Sequence, residues 1–239
     1  MHYERFSIKY WNEHSCFRTR YAQILKKIGP SYCDIPTSMY LCAMQAADTR
    51  ERILQQMFLD IRKNGFQGLR ADKVIAEMNI TKGALYHYFA NKQSIGTAVI
   101  DEIIRPNYLR FYQELDRWEG HPIDKLQEHL HFLSNKATDI DIALGCPLNN
   151  LVQEMSPIDE GFRLRMKSII DHICGSITSA LKRGQEAGHV ISKVNPEQIA
   201  QFFFASIEGA YAISKVHNDA TIFKSNMELL SQFLDSLRS

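Results

Sequence analysis

A short segment that begins at Thr81 carries side chains suited to contacts with nucleic acid. Gly83 and Ala84 have almost no side chain, so a helix backbone here can approach base edges, and Ala84 can contact a thymine methyl group. Lys82 and His87 can reach base edges or phosphates, and Thr81 is a favourable N-cap for the helix that would carry them. The pattern predicts a recognition helix whose first turn reads the major groove of duplex DNA.

Phosphate contacts are expected on both flanks of this helix. Tyr86 and Tyr88 offer hydroxyl groups, and Lys92 stands at the start of the next helix, where backbone N–H groups and a positive side chain both favour phosphate. Leu85 and Phe89 are four residues apart, which places them on the inward face. A plain helical bundle would not favour an exposed aromatic run beside a helical glycine, so DNA binding is favoured over a purely structural role.

The preceding residues predict two helices that would position the recognition helix. The first begins with a capping-box-like pair, Asp48 and Glu51, and ends at Gly65. A short second helix surrounds Val74, and Asn79 suits the positive φ of the tight turn that follows. This order of elements is that of a helix-turn-helix.

Residues 49–95 resemble the DNA-binding domain of the TetR/AcrR family of transcriptional regulators. The matching positions are Thr49, Arg50, Ile53, Leu54, Gly65, Phe66, Lys82, Gly83, Leu85, Tyr86, Phe89 and Lys92. The resemblance implies an all-α fold, in which the helix-turn-helix precedes a larger helical domain for effector binding and dimerisation. The helical periodicity of the chain from Asp48 onwards agrees with that class.

Three departures from the family pattern concern the second helix. Asn79 replaces a glycine, and Val74 with Ile75 replaces an Ile-Ala pair. Leu69 and Arg70 stand where the family usually has a Thr or Ser cap. The missing cap either weakens the start of the second helix or exchanges a hydroxyl–phosphate contact for one from Arg70.

Composition and cysteine usage limit the class of protein. The 239-residue chain has a net charge of +1, so any charge that attracts DNA must be local, and residues 48–95 hold eight basic against five acidic side chains. Five cysteines without a Cys-x-x-Cys pair indicate neither a disulfide framework nor a zinc site. No apolar run reaches the ~18 residues of a membrane span. We expect a cytoplasmic protein without metal or cofactor.

An enzyme is disfavoured because the chain lacks Gly-x-Ser-x-Gly, His-Glu-x-x-His and phosphate-loop motifs. Asp139 and Asp141 are interpreted as solvent-facing carboxylates of a linker rather than as a metal pair. His129 and His131 point to different faces of their helix.

Three segments are expected: an extension (1–47), the helix-turn-helix domain (48–95) and the helical effector-binding and dimerisation domain (96–239). The extension is interpreted as poorly ordered, or as sequence upstream of a start at Met44, and its basic residues leave open a minor-groove arm. A long helix kinked at Pro106 is predicted over 92–116. Further helices are predicted over 123–137, 148–155, 159–186, 196–217 and 220–237.

The last two helices are expected to form the dimer interface, because a helix that is apolar nearly all round needs contacts on every side. The interface residues are Phe203, Ala205, Gly209, Ala212, Phe223, Met227, Leu230 and Phe233. An ordinary internal core helix is the alternative.

An effector pocket is expected between the kinked helix and the helices that precede residue 187. Its lining residues would be Tyr108, Phe111, Tyr112, Phe132, Cys146, Phe162 and Met166. Cys146 precedes a helix N-terminus, where a lowered thiol pKa would make it reactive toward electrophiles, as in some members of the family it resembles. A small structural cysteine is the alternative.

Together these features predict a homodimeric, ligand-responsive regulator of transcription, a repressor that a small-molecule effector releases from a palindromic operator in double-stranded DNA. Two alternatives stay open. One is a repressor that senses thiol-reactive compounds through Cys146, and the other is a DNA-binding protein that organises DNA or recruits partners without ligand gating.

Overall fold

The computed structural model describes residues 37–239, and the regular elements in that range are helical apart from an isolated antiparallel bridge between Val190 and Arg238. The helices are α1 (Thr37–Gly68), α2 (Ala71–Glu77), α3 (Lys82–Tyr88), α4 (Lys92–Ala98), α5 (Arg105–Asp116), α6 (Pro122–Lys136), α7 (Asp139–Leu144), α8 (Pro147–Met155), α9 (Glu160–Glu186), α10 (Pro196–His217) and α11 (Ala220–Asp235). A π-helical segment, Val99–Ile104, joins α4 to α5. The predicted all-α class is confirmed, and the part of the expected extension before residue 37 lies outside the described residues.

Residues 52–239 form one compact unit, and the contacts described below lie within it. In its first part, local signals end and start the helices at the predicted places. Gly65 (φ 76°) interrupts α1, Asn79 (φ 56°) turns the chain after α2, and the Thr81 hydroxyl accepts a hydrogen bond from the backbone N–H of Ala84 at 3.2 Å. The predicted start of the first helix at Asp48 is wrong, because α1 begins at Thr37 and passes through it. Alanine, methionine and glutamine precede Asp48, and these residues readily continue a helix.

The helix predicted over 92–116 is continuous but changes its winding before Pro106. The proline ring removes a backbone donor and crowds the carbonyl four residues earlier. The π-helical segment accommodates the missing donor and the crowding, and it lies directly before Pro106, where the kink was predicted. The side chain of Asn107 donates to the carbonyl of Ile103 at 2.7 Å and satisfies one of the disturbed acceptors.

Helix α9 is central to the larger half, where it packs against α5 and α10, while α11 packs against α6 and α10. Asp159, Asn195 and Asp219 cap the N-termini of α9, α10 and α11 through their side chains. Each capping oxygen satisfies a backbone N–H that has no partner within its helix. The helices predicted in this half are confirmed to within two residues at either end. Within the described range, no helix combines the length and apolarity that spanning a membrane requires.

Residues 139–144 form a helix, α7, where a solvent-facing linker was expected. Asp141 lies 3.8 Å from the guanidinium of buried Arg62, and Asp139 accepts a hydrogen bond from the backbone N–H of Ala220 at 3.1 Å. The two carboxylates therefore connect separate elements. The prediction of a linker is wrong, whereas the carboxylates do face solvent, since Asp139 is exposed and the Asp141 side chain is 40% exposed.

Candidate DNA-binding surface and effector site

Helix α3 has an exposed polar face and a buried apolar face. Lys82, Gly83 and His87 are exposed, and the ring of Tyr86 is 53% exposed, which is high for a large aromatic side chain. Leu85 is fully buried and anchors the helix. The packing of Leu85 thus fixes the orientation of α3, so that Lys82 and His87 face outward.

The remaining predicted DNA contacts lie at the edges of this surface. Arg70 is exposed at the N-cap of α2 and makes no capping hydrogen bond with its side chain. Thr81 is exposed, whereas Ala84 and Tyr88 are half-buried. The Tyr88 ring meets the His87 ring edge-on, with centroids 5.2 Å apart. None of these residues belongs to the core.

Internal contacts already engage two of the lysines near α3. Lys82 Nζ lies 2.6 Å from Asp72 Oδ2, and this hydrogen bond, aided by the negative charge, raises the pKa of Lys82. Lys92 Nζ donates to the Gln67 carbonyl at 2.8 Å and lies 5.2 Å from the centre of the Phe66 ring. An ammonium group has three donors, so each lysine retains donors for phosphate.

A carboxylate from α8 binds the turn at the end of α1. Glu154 Oε2 accepts from the backbone N–H of Phe66 at 2.9 Å, and Oε1 accepts from that of Gln67 at 2.7 Å. We call this pair of bonds the Glu154 bridge. It follows directly on Gly65, where a Cβ atom would lie 3.0 Å from both carboxylate oxygens. The close approach explains why glycine stands there.

An aromatic contact reinforces the bridge. The rings of Phe66 and Phe162 lie 4.6 Å apart between centroids. A Cβ atom on Gly96 in α4 would come within 2.4 Å of Phe66 and 2.5 Å of Phe162. The second turn of α4 is therefore packed tightly against both α1 and α9.

Three polar side chains, from α5, the N-cap of α8 and α10, meet beneath the surface of the larger half. The Tyr108 hydroxyl lies 2.9 Å from Cys146 Sγ, and the Cys146 thiol donates to Glu208 Oε1 at 3.2 Å. Since the single thiol proton points to Glu208, the Tyr108 hydroxyl donates to sulfur. The backbone N–H of Asn149 also donates to sulfur, at 3.3 Å. We call Tyr108, Cys146 and Glu208 the thiol cluster.

Burial controls the proton affinities of the thiol cluster. It raises the pKa of the Glu208 carboxyl to about 7. It also raises the pKa of the Cys146 thiol, and the negative charge of Glu208 adds to that effect. The expected lowering of the thiol pKa by its helix N-terminus is wrong, because desolvation outweighs the hydrogen bonds from Tyr108 and Asn149.

Further aromatic groups adjoin the thiol cluster. Phe111 stacks on His129 with centroids 3.9 Å apart, and the Tyr112 hydroxyl lies 3.5 Å from His129 Nε2. Burial lowers the pKa of His129 to about 3, with a smaller contribution from Lys125. Burial raises the pKa of Tyr112 and of Tyr211, and the charge of Glu208 adds to both effects.

The structure gathers only part of the predicted effector lining. Tyr108, Phe111, Tyr112 and Cys146 belong to one region, since Tyr112 interacts electrostatically with Cys146 and contacts Phe111 through His129. Phe132 is 47% exposed on α6, so it lies outside any buried lining. Phe162 packs on Phe66 instead. Met166 borders a separate shallow depression of about 190 Å³ between α8 and α9.

Glu208, Tyr211 and His129 were not predicted as effector-site residues. One sequence signal did exist for Glu208, which is the only charged residue between Gln198 and Ser214 in an otherwise apolar and neutral helix. A lone carboxylate in such a helix is a candidate for a buried functional group.

Half of the predicted dimer residues are turned into the protomer. Phe203, Phe223, Met227 and Leu230 are buried, so they hold α10 and α11 to their own core and offer little surface to a partner. Phe233 is half-buried, with its ring 5.0 Å from that of Phe202. The exposed apolar and small residues of α10 form what we call the α10 stripe: Phe202, Ala205, Gly209, Ala212, Ile213 and Val216.

Sequence comparisons relate both halves to known regulators. Residues 61–99 match the tetR family of bacterial regulatory proteins, and residues 122–230 match the tetracyclin repressor-like C-terminal domain. The chain is 30% identical over 189 residues to an uncharacterized HTH-type transcriptional regulator in the lacX 3' region of Lactococcus lactis, covering 77% of this chain and 91% of that protein. It is 26% identical over 172 residues to the HTH-type transcriptional repressor NemR of Escherichia coli K12, covering 71% and 85%.

A structural comparison agrees. The crystal structure of a TetR transcriptional regulator from Chloroflexus aurantiacus matches with a TM-score of 0.71 at 20% identity, over 82% of this chain and 98% of that one. That likeness extends the same fold across the helix-turn-helix and the larger helical half. The chain therefore belongs to the TetR family of bacterial transcriptional regulators, and it is a DNA-binding regulator rather than an enzyme.

Proposed function

We propose that this regulator is a repressor that binds a palindromic operator as a homodimer and leaves it when a small-molecule effector binds. The observation that carries the proposal is the exposed outer face of α3, held in place by buried Leu85 and started by the Thr81 cap. Relatives named as repressors, NemR among them, favour repression over activation.

The proposed contacts divide into base readers and phosphate contacts. Lys82, Gly83, Ala84 and His87 face base edges. Around them, Arg70, Thr81, Tyr86, Tyr88 and Lys92 face phosphates.

Dimerisation is proposed through the α10 stripe. Its residues recur with helical spacing, and exposed Ala205, Gly209 and Ala212 allow two helices to approach closely. Val216 is 84% exposed and Ile213 is 53% exposed, so each would gain burial from a partner helix. A symmetric dimer would present two copies of α3 to two half-sites.

The proposed coupling runs from the thiol cluster to the DNA-binding surface along α8. Cys146 is the N-cap of this nine-residue helix, and Glu154 lies in its last turn. A shift at Cys146 would therefore move the Glu154 bridge, which holds the turn that Lys92 also contacts. An effector releases DNA in this way only if it binds the two states with different affinity.

A second candidate function is thiol sensing at the same position. The observation that favours it is the set of three polar partners around Cys146 Sγ, which exceeds what packing a small structural cysteine requires. Modification of the thiol would disrupt these bonds at the start of α8. Both candidates thus use the same route to the DNA-binding surface.

The test begins with the DNA. Purified protein would be footprinted on inverted repeats beside its own gene, and the protected fragment would then be challenged with candidate effectors. Protection of a repeat that an effector reverses supports ligand-gated repression. Release by electrophiles that is lost in Cys146→Ser selects thiol sensing, whereas protection that no compound reverses favours a DNA-binding protein without gating.

A further inference from the structure

We propose that Glu208 accepts the thiol proton when Cys146 adds to a soft electrophile of the α,β-unsaturated carbonyl class. The proposal rests on the thiol-sensing candidate above and assigns a base to it. Its ground is the direct hydrogen bond from Cys146 Sγ to Glu208 Oε1, at 3.2 Å.

Two hydrogen-bond donors and one proton acceptor surround the sulfur of Cys146, as the reaction of a thiol requires. The Tyr108 hydroxyl at 2.9 Å and the Asn149 N–H at 3.3 Å both donate to sulfur, and such donors stabilise a developing thiolate. Glu208 is the group that receives the proton. Without it, loss of the proton from a thiol that is only 2% exposed would be strongly disfavoured.

The second carboxylate oxygen of Glu208 also supports its role as the proton acceptor. Oε2 is buried and has no hydrogen-bond partner among the described residues. A carboxyl group that served only packing or structure would be expected to have both oxygens satisfied. An unpartnered oxygen leaves the carboxyl free to take up a proton without breaking another contact.

The proton affinity of Glu208 suits a base at neutral pH. Burial brings its pKa to about 7, where general bases work best. The ionisable groups that face it are Tyr108 and Tyr112 from α5, Cys146 before α8 and Tyr211 from α10. The pKa of each of these groups is raised, so all four are neutral at pH 7 and the titration near pH 7 belongs to Glu208.

In the addition, one C–S bond forms and one S–H bond breaks. The S–H bond breaks and its proton passes to Glu208, while the sulfur electron pair forms a C–S bond to the β-carbon of the electrophile. The π electrons of the C=C bond move toward the α-carbon and carbonyl oxygen. The α-carbon then takes a proton from Glu208, directly or through water, and the carboxylate is restored.

Methyl vinyl ketone is a suitable probe because it is a small α,β-unsaturated ketone, and the groups around Cys146, which are Tyr108, Glu208 and Tyr211, are only half-buried. The full-length protein would be labelled between pH 5.5 and pH 9, and the Cys146 adduct would be quantified by peptide mass spectrometry. Cys174, a half-buried thiol in the same chain, is the internal control. We expect the labelling rate of Cys146 to rise with an inflection near pH 7.

In Glu208→Gln the rate at pH 7 should fall by about 10²-fold and the inflection should move to the pH at which the thiol itself ionises. Labelling of Cys174 should not change. Equal rates and pH profiles at Cys146 in the two proteins would overturn the role of Glu208 while leaving thiol sensing intact. Absence of any Cys146 adduct in the unmodified protein would reject both. The pH profile of the unmodified protein needs no variant, and a profile without an inflection near pH 7 would also overturn the proposal.

Discussion

Replacing Glu154 with alanine removes the bridge between α8 and the turn that follows Gly65. Two hydrogen bonds are lost, at 2.9 Å to the Phe66 N–H and 2.7 Å to the Gln67 N–H. A buried bond to a charged group contributes about 1.5–3 kcal/mol, but Gln67 is exposed and Glu154 is half-buried, so we assign roughly 1 kcal/mol to each bond. For a chain of this size, a loss of about 2 kcal/mol lowers the midpoint of thermal unfolding by about 4–8 °C.

The same loss bears on DNA affinity. If the DNA-binding state requires the bridge, operator affinity falls by at most about 30-fold, which is the equivalent of 2 kcal/mol. Thermal unfolding and fluorescence anisotropy with operator DNA would measure the two effects. Glu160→Ala is the matched control, because it removes the same charge from an exposed pair with Arg163. If Glu154→Ala had the melting temperature and the operator affinity of the control, the bridge would not couple the two halves.

Three further changes test separate parts of the structure. Asp72→Asn frees Lys82 and removes a negative charge beside α3, so operator affinity in anisotropy titrations should rise by about 3–10-fold; unchanged affinity would argue against a DNA contact by Lys82. Folding raises the pKa of Glu208 from 4.5 to about 7, because burial favours its neutral form. The stability that this shift contributes is complete below pH 4.5 and is lost as the pH rises through 7. Denaturant titrations should show that Glu208→Gln abolishes this loss, worth roughly 3 kcal/mol, and parallel pH curves would contradict the assignment. Ile213→Glu should yield monomers in light scattering, whereas the control Ile158→Glu, at a similarly exposed position, should leave the dimer; an unchanged mass for Ile213→Glu would exclude the α10 stripe.

The parts of the fold that could be predicted are those set by neighbouring residues. Gly65 and Asn79 adopt a positive φ because those residue types tolerate it, and Thr81 caps α3 because its hydroxyl reaches an N–H of the first turn. The predicted start of α1 was wrong because neighbouring residues also decide where a helix begins. A pattern resembling a cap at Asp48 has no effect when the preceding residues also favour a helix.

The parts that could not be predicted depend on which distant elements meet. Glu208, Cys146 and Tyr108 are far apart in sequence and come together only because α5, α8 and α10 all pack against α9. The reversed direction of the Cys146 pKa shift has the same origin, since burial is a tertiary property. In α10, three successive phenylalanines point in different directions, so the sequence does not show which face of the helix is buried. In the structure Phe203 is buried and Phe202 is exposed.

The most direct measurement compares footprints and operator affinities of the unmodified protein, Lys82→Ala, His87→Ala and the control Lys167→Ala. Lys167 pairs with Asp171 on the exposed face of α9, far along the chain from α3, and its loss removes the same charge as that of Lys82. The unmodified protein and the control should protect both halves of an inverted repeat. His87→Ala should lose about 1–3 kcal/mol of specific binding and relax discrimination at one base position in each half-site, and Lys82→Ala should also weaken binding. Full protection with unchanged affinity in both α3 variants would contradict the assignment of α3 as the DNA-reading helix.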